Sequence, residues 1–173
     1  MDIIFTLKSI YNVSKYSYNI FQLFEEPINL IENIYIGNLY HISNWVILRD
    51  YNFKFIIGLY KKKPEFDFID IKFNNFELNF NLIKENHNEI KSKLELIINN
   101  IIKSQSFFDS KNEYTQNIII SYESKNNLIL LLVLLLKTKY NLSLNRILKL
   151  LEIKKIIANN NIDSEILEIC NLF

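Results

Sequence analysis

Glycine, proline and alanine are nearly missing from this chain, at two, two and one among 173 residues. So little glycine and proline excludes a collagen-like or Gly/Pro-rich low-complexity chain. Cysteine occurs once, at Cys170. One thiol can form neither an internal disulfide nor a Cys-rich zinc site, and it points to a reducing compartment. Arginine is confined to Arg49 and Arg146, and the formal charge is only +1. Nucleic-acid binders carry a strong basic excess, so that role is not expected. The longest apolar run, Leu128–Leu136, is nine residues, about half of a membrane span. Met1–Ile10 lacks the basic start and small-residue cleavage site of a secretory signal. These absences together predict an intracellular, cytoplasmic protein with no membrane partner.

What is abundant is just as skewed. Ile and Asn make up roughly a third of the chain, far above ordinary usage. Ile, Asn, Lys, Phe and Tyr have AT-rich codons, so the bias suggests an AT-rich genome such as that of a large DNA virus or a parasite. On that reading a single Asn carries little structural information. With 49% apolar, 14% aromatic and 23% charged residues, disorder is excluded. The length suits one domain with a substantial core.

Along the chain, Ser14–Glu25 has apolar residues at helical spacing and Pro27 ends it, so residues 1–30 read as a helical preface. Asn33–Asn38 reads as a strand closed by Gly37. His41–Tyr51 reads as one short helix with Ser43 as N-cap. Phe53–Tyr60 is a buried strand by its β-branched and aromatic content, and Lys61–Pro64 a turn. Phe66–Phe73 alternates apolar and polar residues as a half-exposed strand does, with a loop over Asn74–Asn81. Leu82–Lys103 has the three-, four- and seven-residue spacing of an amphipathic helix, followed by a polar connection, Ser104–Gln116. Ser143 caps a helix over Leu144–Lys155, Asn159–Asn161 is a break, and Asp163 or Ser164 caps a last helix, Glu165–Leu172.

The segment Asn117–Lys139 is the most telling. Ile118-Ile119-Ile120 reads as a buried strand, Ser121–Asn127 as a polar loop, and Leu128–Leu136 as a helix buried on every side. Strand, tight loop and helix N-terminus is how α/β proteins hold anionic ligands. Yet this loop contains no Cys, Arg, His or Gly. The alternation of elements predicts an α/β fold with a mostly parallel central sheet of four to five strands flanked by helices.

Several stretches, in serial order, resemble the dual-specificity branch of the protein tyrosine phosphatases, including poxvirus-type members. NIYIGNL at Asn33–Leu39 is similar to the family's "LYLGN" strand, and Phe55–Leu59 to "HVLNV". Phe66–Asn75 is similar to "YLHIPVED", and Ile118–Tyr122 holds the place of "VLVHC". LLLKTKYNLSL at Leu134–Leu144 resembles "YLMKTRNMSL", and Asn160–Phe173 sits where "NPSFxxQLxxFE" closes the fold. The resemblance implies a three-layer phosphotyrosine-phosphatase-like domain over residues 31–173.

Phosphatases of this kind need a cysteine thiolate that attacks phosphorus, an arginine six residues on that clamps the phosphate, and an aspartic acid that protonates the leaving group. Carried over by position, the resemblance puts Tyr122 at the cysteine, Leu128 at the arginine, and Asn74 or Asn75 at the acid. A phenol with a pKa near ~10 does not replace a thiolate, leucine has no donor, and an amide has no titratable proton. The nearest carboxylate, Glu77, lies two residues further on. The expectation is therefore an inactive member, a pseudophosphatase with no catalytic residues and no cofactor.

Lesser features have two readings each. Lys125, with Asn126 and Asn127 at a helix start, can retain anion binding; the plainer reading is a solvated loop with Asn127 as the cap. His41 and His87 are the only histidines; Glu85, His87 and Glu89 do not share one helix face, so no metal site is expected. Lys61–Lys63 can be read as a nuclear signal or a phosphate-backbone contact; the plainer reading is a solvated turn. Tyr122 reads as a structural substitute for the cysteine, and Cys170 as core-facing. The aromatic preface is expected to pack on a partner or a second copy, giving a homodimer through the N-terminal helix.

The favoured function is action through a protein partner, with phosphoproteins among the candidates, modulating phospho-signalling. Two alternatives stand beside it. One is a structural or assembly protein of a large DNA virus, in the host cell or the virion. The other is an enzyme with an unrecognised site near Asp50, Asp67 or Asp70.

Overall fold

A computed structural model describes residues 26–65, 70–78, 87–109, 116–158 and 162–173. Expected features within residues 1–25, 66–69, 79–86, 110–115 and 159–161 lie outside the described residues. These include the preface helix, Asp67, the start of the helix expected at Leu82, and the break at Asn159–Asn161. Two compact units are present, one built on a sheet with Ser104–Glu123 joined to the chain up to Glu77, the other of helices over Leu78–Lys103 and Ser124–Phe173.

The sheet unit has five strands among the described residues: β1 (Ile28–Ile31), β2 (Ile34–Gly37), β3 (Phe53–Leu59), β4 (Lys72–Asn75) and β5 (Asn117–Tyr122). Their order is β1-β2-β5-β3-β4. Only β1 runs antiparallel to its neighbour; β2, β5, β3 and β4 are mutually parallel. The expected α/β class with a mostly parallel central sheet is what the structure has. β5 is the central strand, and its Ile118, Ile119 and Ile120 are fully buried. A parallel strand covered on both faces reads as an unbroken apolar run rather than an alternation, which is why this strand stood out in the sequence.

Two short helices, α1 (Leu39–Ser43) and α2 (Trp45–Asp50), lie between β2 and β3. They replace the single helix expected over His41–Tyr51, and Ser43 is the last residue of α1 rather than an N-cap. The caps are asparagines. Asn38 Oδ1 accepts the His41 N–H at 3.1 Å while His41 Nδ1 accepts the Asn38 N–H at 3.0 Å, a reciprocal capping box. Asn44 Oδ1 accepts the Val46 N–H at 3.0 Å. Leu39, Ile42 and Leu48 from these helices pack with Phe53, Ile56 and Ile119 of the sheet and with Tyr60, just past β3. Gly37 and Gly58 sit on this sheet where neighbours approach closely. A Cβ on Gly37 would lie 2.5 Å from Ile119 Cδ1, and one on Gly58 would lie 2.6 Å from the Phe73 ring.

The element boundaries differ from expectation in three further places. Residues 28–30, read as the end of the preface, begin β1. β4 occupies Lys72–Asn75, so Asn74 and Asn75 are strand residues and not loop, with Asn74 opposite Ile57 and Asn75 opposite Gly58. The long helix α3 (His87–Asp109) runs past Lys103 into the stretch expected as a polar connection.

The helical unit holds most of α3 with α4 (Lys125–Tyr140), α5 (Leu144–Ile153) and α6 (Ser164–Leu172). α3 buries Ile90, Leu94, Ile97, Ile98 and Ile101, at the helical spacing seen in the sequence. α4 is buried continuously from Asn127 to Leu136 and packs against α5 and α6. Each fully buried Leu or Ile there contributes about 1.5–3 kcal/mol over leaving it exposed. Asn141 closes α4 in the left-handed region at φ 52°, with its N–H returning to the Leu136 and Lys137 carbonyls. Ser143 and Asp163 are the N-caps of α5 and α6, as expected. Among the described residues no helix is long and apolar enough to cross a membrane.

Candidate functional site

In open α/β sheets, ligands bind beyond the carboxyl ends of the parallel strands. Here those ends are Gly37, Leu59, Asn75 and Tyr122. The expected polar loop Ser121–Asn127 is largely absent. Ser121 and Tyr122 are paired strand residues, opposite Gly58 and Leu59 of β3, and α4 begins at Lys125. Only Glu123 and Ser124 separate strand from helix. The connection itself therefore offers only two residues to any anion-binding turn.

The strand ends are tied to one another by side chains. Tyr60 follows β3 and is 2% exposed; Ser121 is fully buried. Their hydroxyls meet at 2.5 Å, so each satisfies the other's need for a partner away from water. From β4, Asn75 Nδ2 donates to the Tyr60 carbonyl at 3.0 Å. Asn75 Oδ1 is buried without a hydrogen-bond partner among the described residues and would lie 2.7 Å from a Cβ on Gly58. The missing side chain at Gly58 is what lets the Asn75 amide fold over β3. Beyond these, the Phe76 N–H bonds the Gly58 carbonyl at 2.8 Å and the Glu123 N–H bonds the Leu59 carbonyl at 3.2 Å. The Glu123 carboxylate returns to the β3 side and accepts the Lys61 N–H at 3.0 Å.

Tyr122 is the half-buried last residue of β5. Leu128 is 0% exposed within α4. Asn75 is the clasp on Tyr60, and Asn74 is its half-buried neighbour on β4. Of the three residues expected at a remnant anion site, Lys125 is exposed as the first residue of α4 and Asn126 is half-buried. Asn127 is 8% exposed, and its Nδ2 donates to the Leu78 carbonyl at 2.9 Å. It is not the helix cap: that position is Ser124, whose carbonyl accepts the Leu128 N–H at 3.2 Å.

The remaining reactive side chains lie elsewhere. Cys170 is 1% exposed on α6, and burial pushes its thiol up to about 11, partly offset by the positive charge of Lys137. Arg49 is exposed and pairs with Asp50 at 3.0 Å; Arg146 is exposed on α5. His41 is buried in the capping box, while His87 is exposed at the start of α3, and Asp70 is exposed. No group of three or more His, Cys, Asp or Glu side chains among the described residues is arranged to hold a metal ion. Sequence reasoning missed Tyr60, Gly58 and the Glu123–Lys61 contact. The Tyr60–Pro64 run directly after a buried strand was a signal for Tyr60 and Lys61 alone.

Compared with solved structures, the chain is similar to a leucine-rich-repeat and phosphatase-domain protein from Entamoeba histolytica (TM-score 0.58, 15% identity, covering 89% of this chain and 92% of that one). It is similar to DUSP15 (TM-score 0.61, 14% identity, 86% of each chain). It is also similar to the human tyrosine phosphatase-like serine/threonine/tyrosine-interacting protein (TM-score 0.57, 9% identity, 85% and 94%). The fold is that of the dual-specificity phosphatases. No protein-family model and no curated protein matches the sequence. Within the dual-specificity phosphatase fold, β5 and α4 are the elements that the resemblance associates with the phosphate loop, and this chain joins them through Glu123 and Ser124 alone.

Proposed function

We propose that this chain uses a dual-specificity phosphatase fold without phosphatase chemistry and acts by binding a protein partner. One observation carries the reading: where the resemblance calls for a thiolate, a guanidinium and a carboxylic acid, the chain has Tyr122, the fully buried Leu128, and the amides Asn74 and Asn75. The chain's one cysteine supports it further, because Cys170 is buried on α6 with a raised pKa, the opposite of an activated nucleophile. The arginines, Arg49 and Arg146, lie on α2 and α5, away in sequence from the β5–α4 connection. A solved neighbour whose own name reads phosphatase-like and interacting is consistent with a binding role on this fold. Motifs resembling poxvirus-type members make a viral source part of the same reading.

The direct test is turnover of a generic aryl phosphate by the purified full-length chain. The expected result is no release above a buffer blank. Release proportional to protein concentration and retained in Tyr122→Phe would disprove the reading by revealing another active centre. Release lost in that variant would disprove it by making Tyr122 itself reactive.

A further inference from the structure

The Lys61–Lys63 turn has no role in the reading above, yet it lies at the carboxyl end of β3 beside the strand-end clasp. Lys61 and Lys62 are exposed, and neither forms an ion pair with a carboxylate among the described residues. Lys63 is drawn the other way, its Nζ 5.2 Å from the centre of the Phe73 ring on β4. The turn's first amide already holds an anionic oxygen: the Lys61 N–H donates to Glu123 Oε2, supplied from far along the chain. β4 is the edge of the sheet, with no strand beyond it among the described residues. A strand at the end of the sheet order beside a basic turn suits an extended peptide that places an anionic group on the turn.

Deepening the partner-binding role proposed above, we propose that the Lys61–Lys63 turn is the docking point for a phosphorylated peptide, with Glu123 as its built-in occupant. The internal carboxylate acts as a threshold. Held in the same molecule, it competes at an effective concentration of about a millimolar or more. An incoming Asp or Glu side chain offers the same single charge and does not win that exchange. A phosphate group brings nearly two charges and three acceptor oxygens, enough to take the Lys61 N–H and the neighbouring ammonium groups together. Displaced, Glu123 returns to solvent, where an exposed carboxylate is at little cost.

The test is fluorescence anisotropy of the full chain with labelled, degenerate peptide libraries fixed at one central phosphotyrosine or phosphoserine, against unphosphorylated and aspartate-centred twins. The phosphorylated libraries should bind at least ~10-fold tighter than either twin. Lys61→Glu/Lys62→Glu should abolish that preference with an unchanged melting curve, since both side chains are exposed. Glu123→Ala should tighten binding several-fold, on the order of 3–10-fold, and admit the aspartate twin. Equal binding of the twins, indifference to the lysine reversals, or no gain from Glu123→Ala would each overturn the proposal. Inorganic phosphate competing as well as the phosphopeptides would also overturn it, since the strand edge would then contribute nothing. The outcomes separate from those of the broader reading. Aryl-phosphate turnover ends the non-enzymatic role whatever the peptides do. A purified partner held equally by the parent and the lysine variant keeps that role and ends this one.

Discussion

Leucine 128 offers a sharp test, because the two ways of reading it predict opposite responses to Leu128→Arg. If the position were the rim of an open anion pocket, as in an active phosphatase, a guanidinium there would be solvated and phosphate would stabilise it. In the structure the side chain is 0% exposed, the fourth residue of a helix buried from Asn127 to Leu136. An unpaired charge forced into such a place costs about 3–5 kcal/mol. The added bulk costs a further ~1–3 kcal/mol. Against a total stability of ~5–15 kcal/mol, that removes a large fraction of the folded state's margin. At about 2–4 °C per kcal/mol for a chain of this length, Tm should fall by at least ~8 °C. Leu128→Met, which keeps the volume, should cost less than about 1.5 kcal/mol. Thermal melts followed by circular dichroism, with and without tens of millimolar phosphate, make the measurement. A Leu128→Arg chain that melts within a few degrees of its parent would refute the argument, and so would recovery of its Tm in phosphate, which is the signature of a ligand bound only by the native state.

Three further outcomes follow from the same geometry. Tyr60→Phe and Ser121→Ala each disrupt a buried hydroxyl pair and should cost about 1–3 kcal/mol, whereas the double variant should cost clearly less than their sum, a coupling that denaturant titration would expose. Asn75→Asp replaces the donor to the Tyr60 carbonyl by an acceptor; it should destabilise by roughly 1–3 kcal/mol at neutral pH and less at pH values low enough to protonate the new carboxyl, and a pH-independent loss would contradict the assigned contact. Cys170 should resist an aromatic disulfide reagent at pH 8 until guanidinium unfolds the chain. Its folded pKa of about 11 lies above the ordinary 9.0, so its contribution to stability is complete below pH 9 and lost as pH climbs toward 11. Cys170→Ser should flatten that alkaline slope, and an unaltered slope would assign it to Tyr51, whose pKa burial also raises.

What was legible in the sequence was whatever burial writes as pattern. Ile118–Ile120 and Leu128–Leu136 announced a central strand and a core helix because neither has a face on which water must be met. The α3 stripe from Ile90 to Ile101 announced itself for the complementary reason. What misled were polar residues inside regular elements. Ser121 and Tyr122 looked like loop, yet Ser121 is strand and fully buried because Tyr60 satisfies its hydroxyl, a pairing across 61 positions that no local window contains. Lys125, Asn126 and Asn127 looked like loop too, but the first turn of a helix accepts polar residues freely. Discounting asparagine as compositional noise hid Asn38 and Asn44, which are the caps that split one expected helix into α1 and α2. The resemblance supplied the fold and the positions to compare. It said nothing of the Glu123 contact, because that contact depends on a turn, Lys61–Lys63, outside every motif.

The two glycines show what a chain so depleted in that residue keeps it for. Neither has a positive φ, so neither is there to make a turn; each occupies a spot where a methyl group would collide, Gly37 with Ile119 and the His41 ring, Gly58 with Phe73 and the Asn75 amide. Packing is therefore close at both of these backbone positions. A saturation scan for soluble expression should find Gly37 and Gly58 intolerant of larger residues, since even alanine presses on the capping box at one and the strand-end clasp at the other.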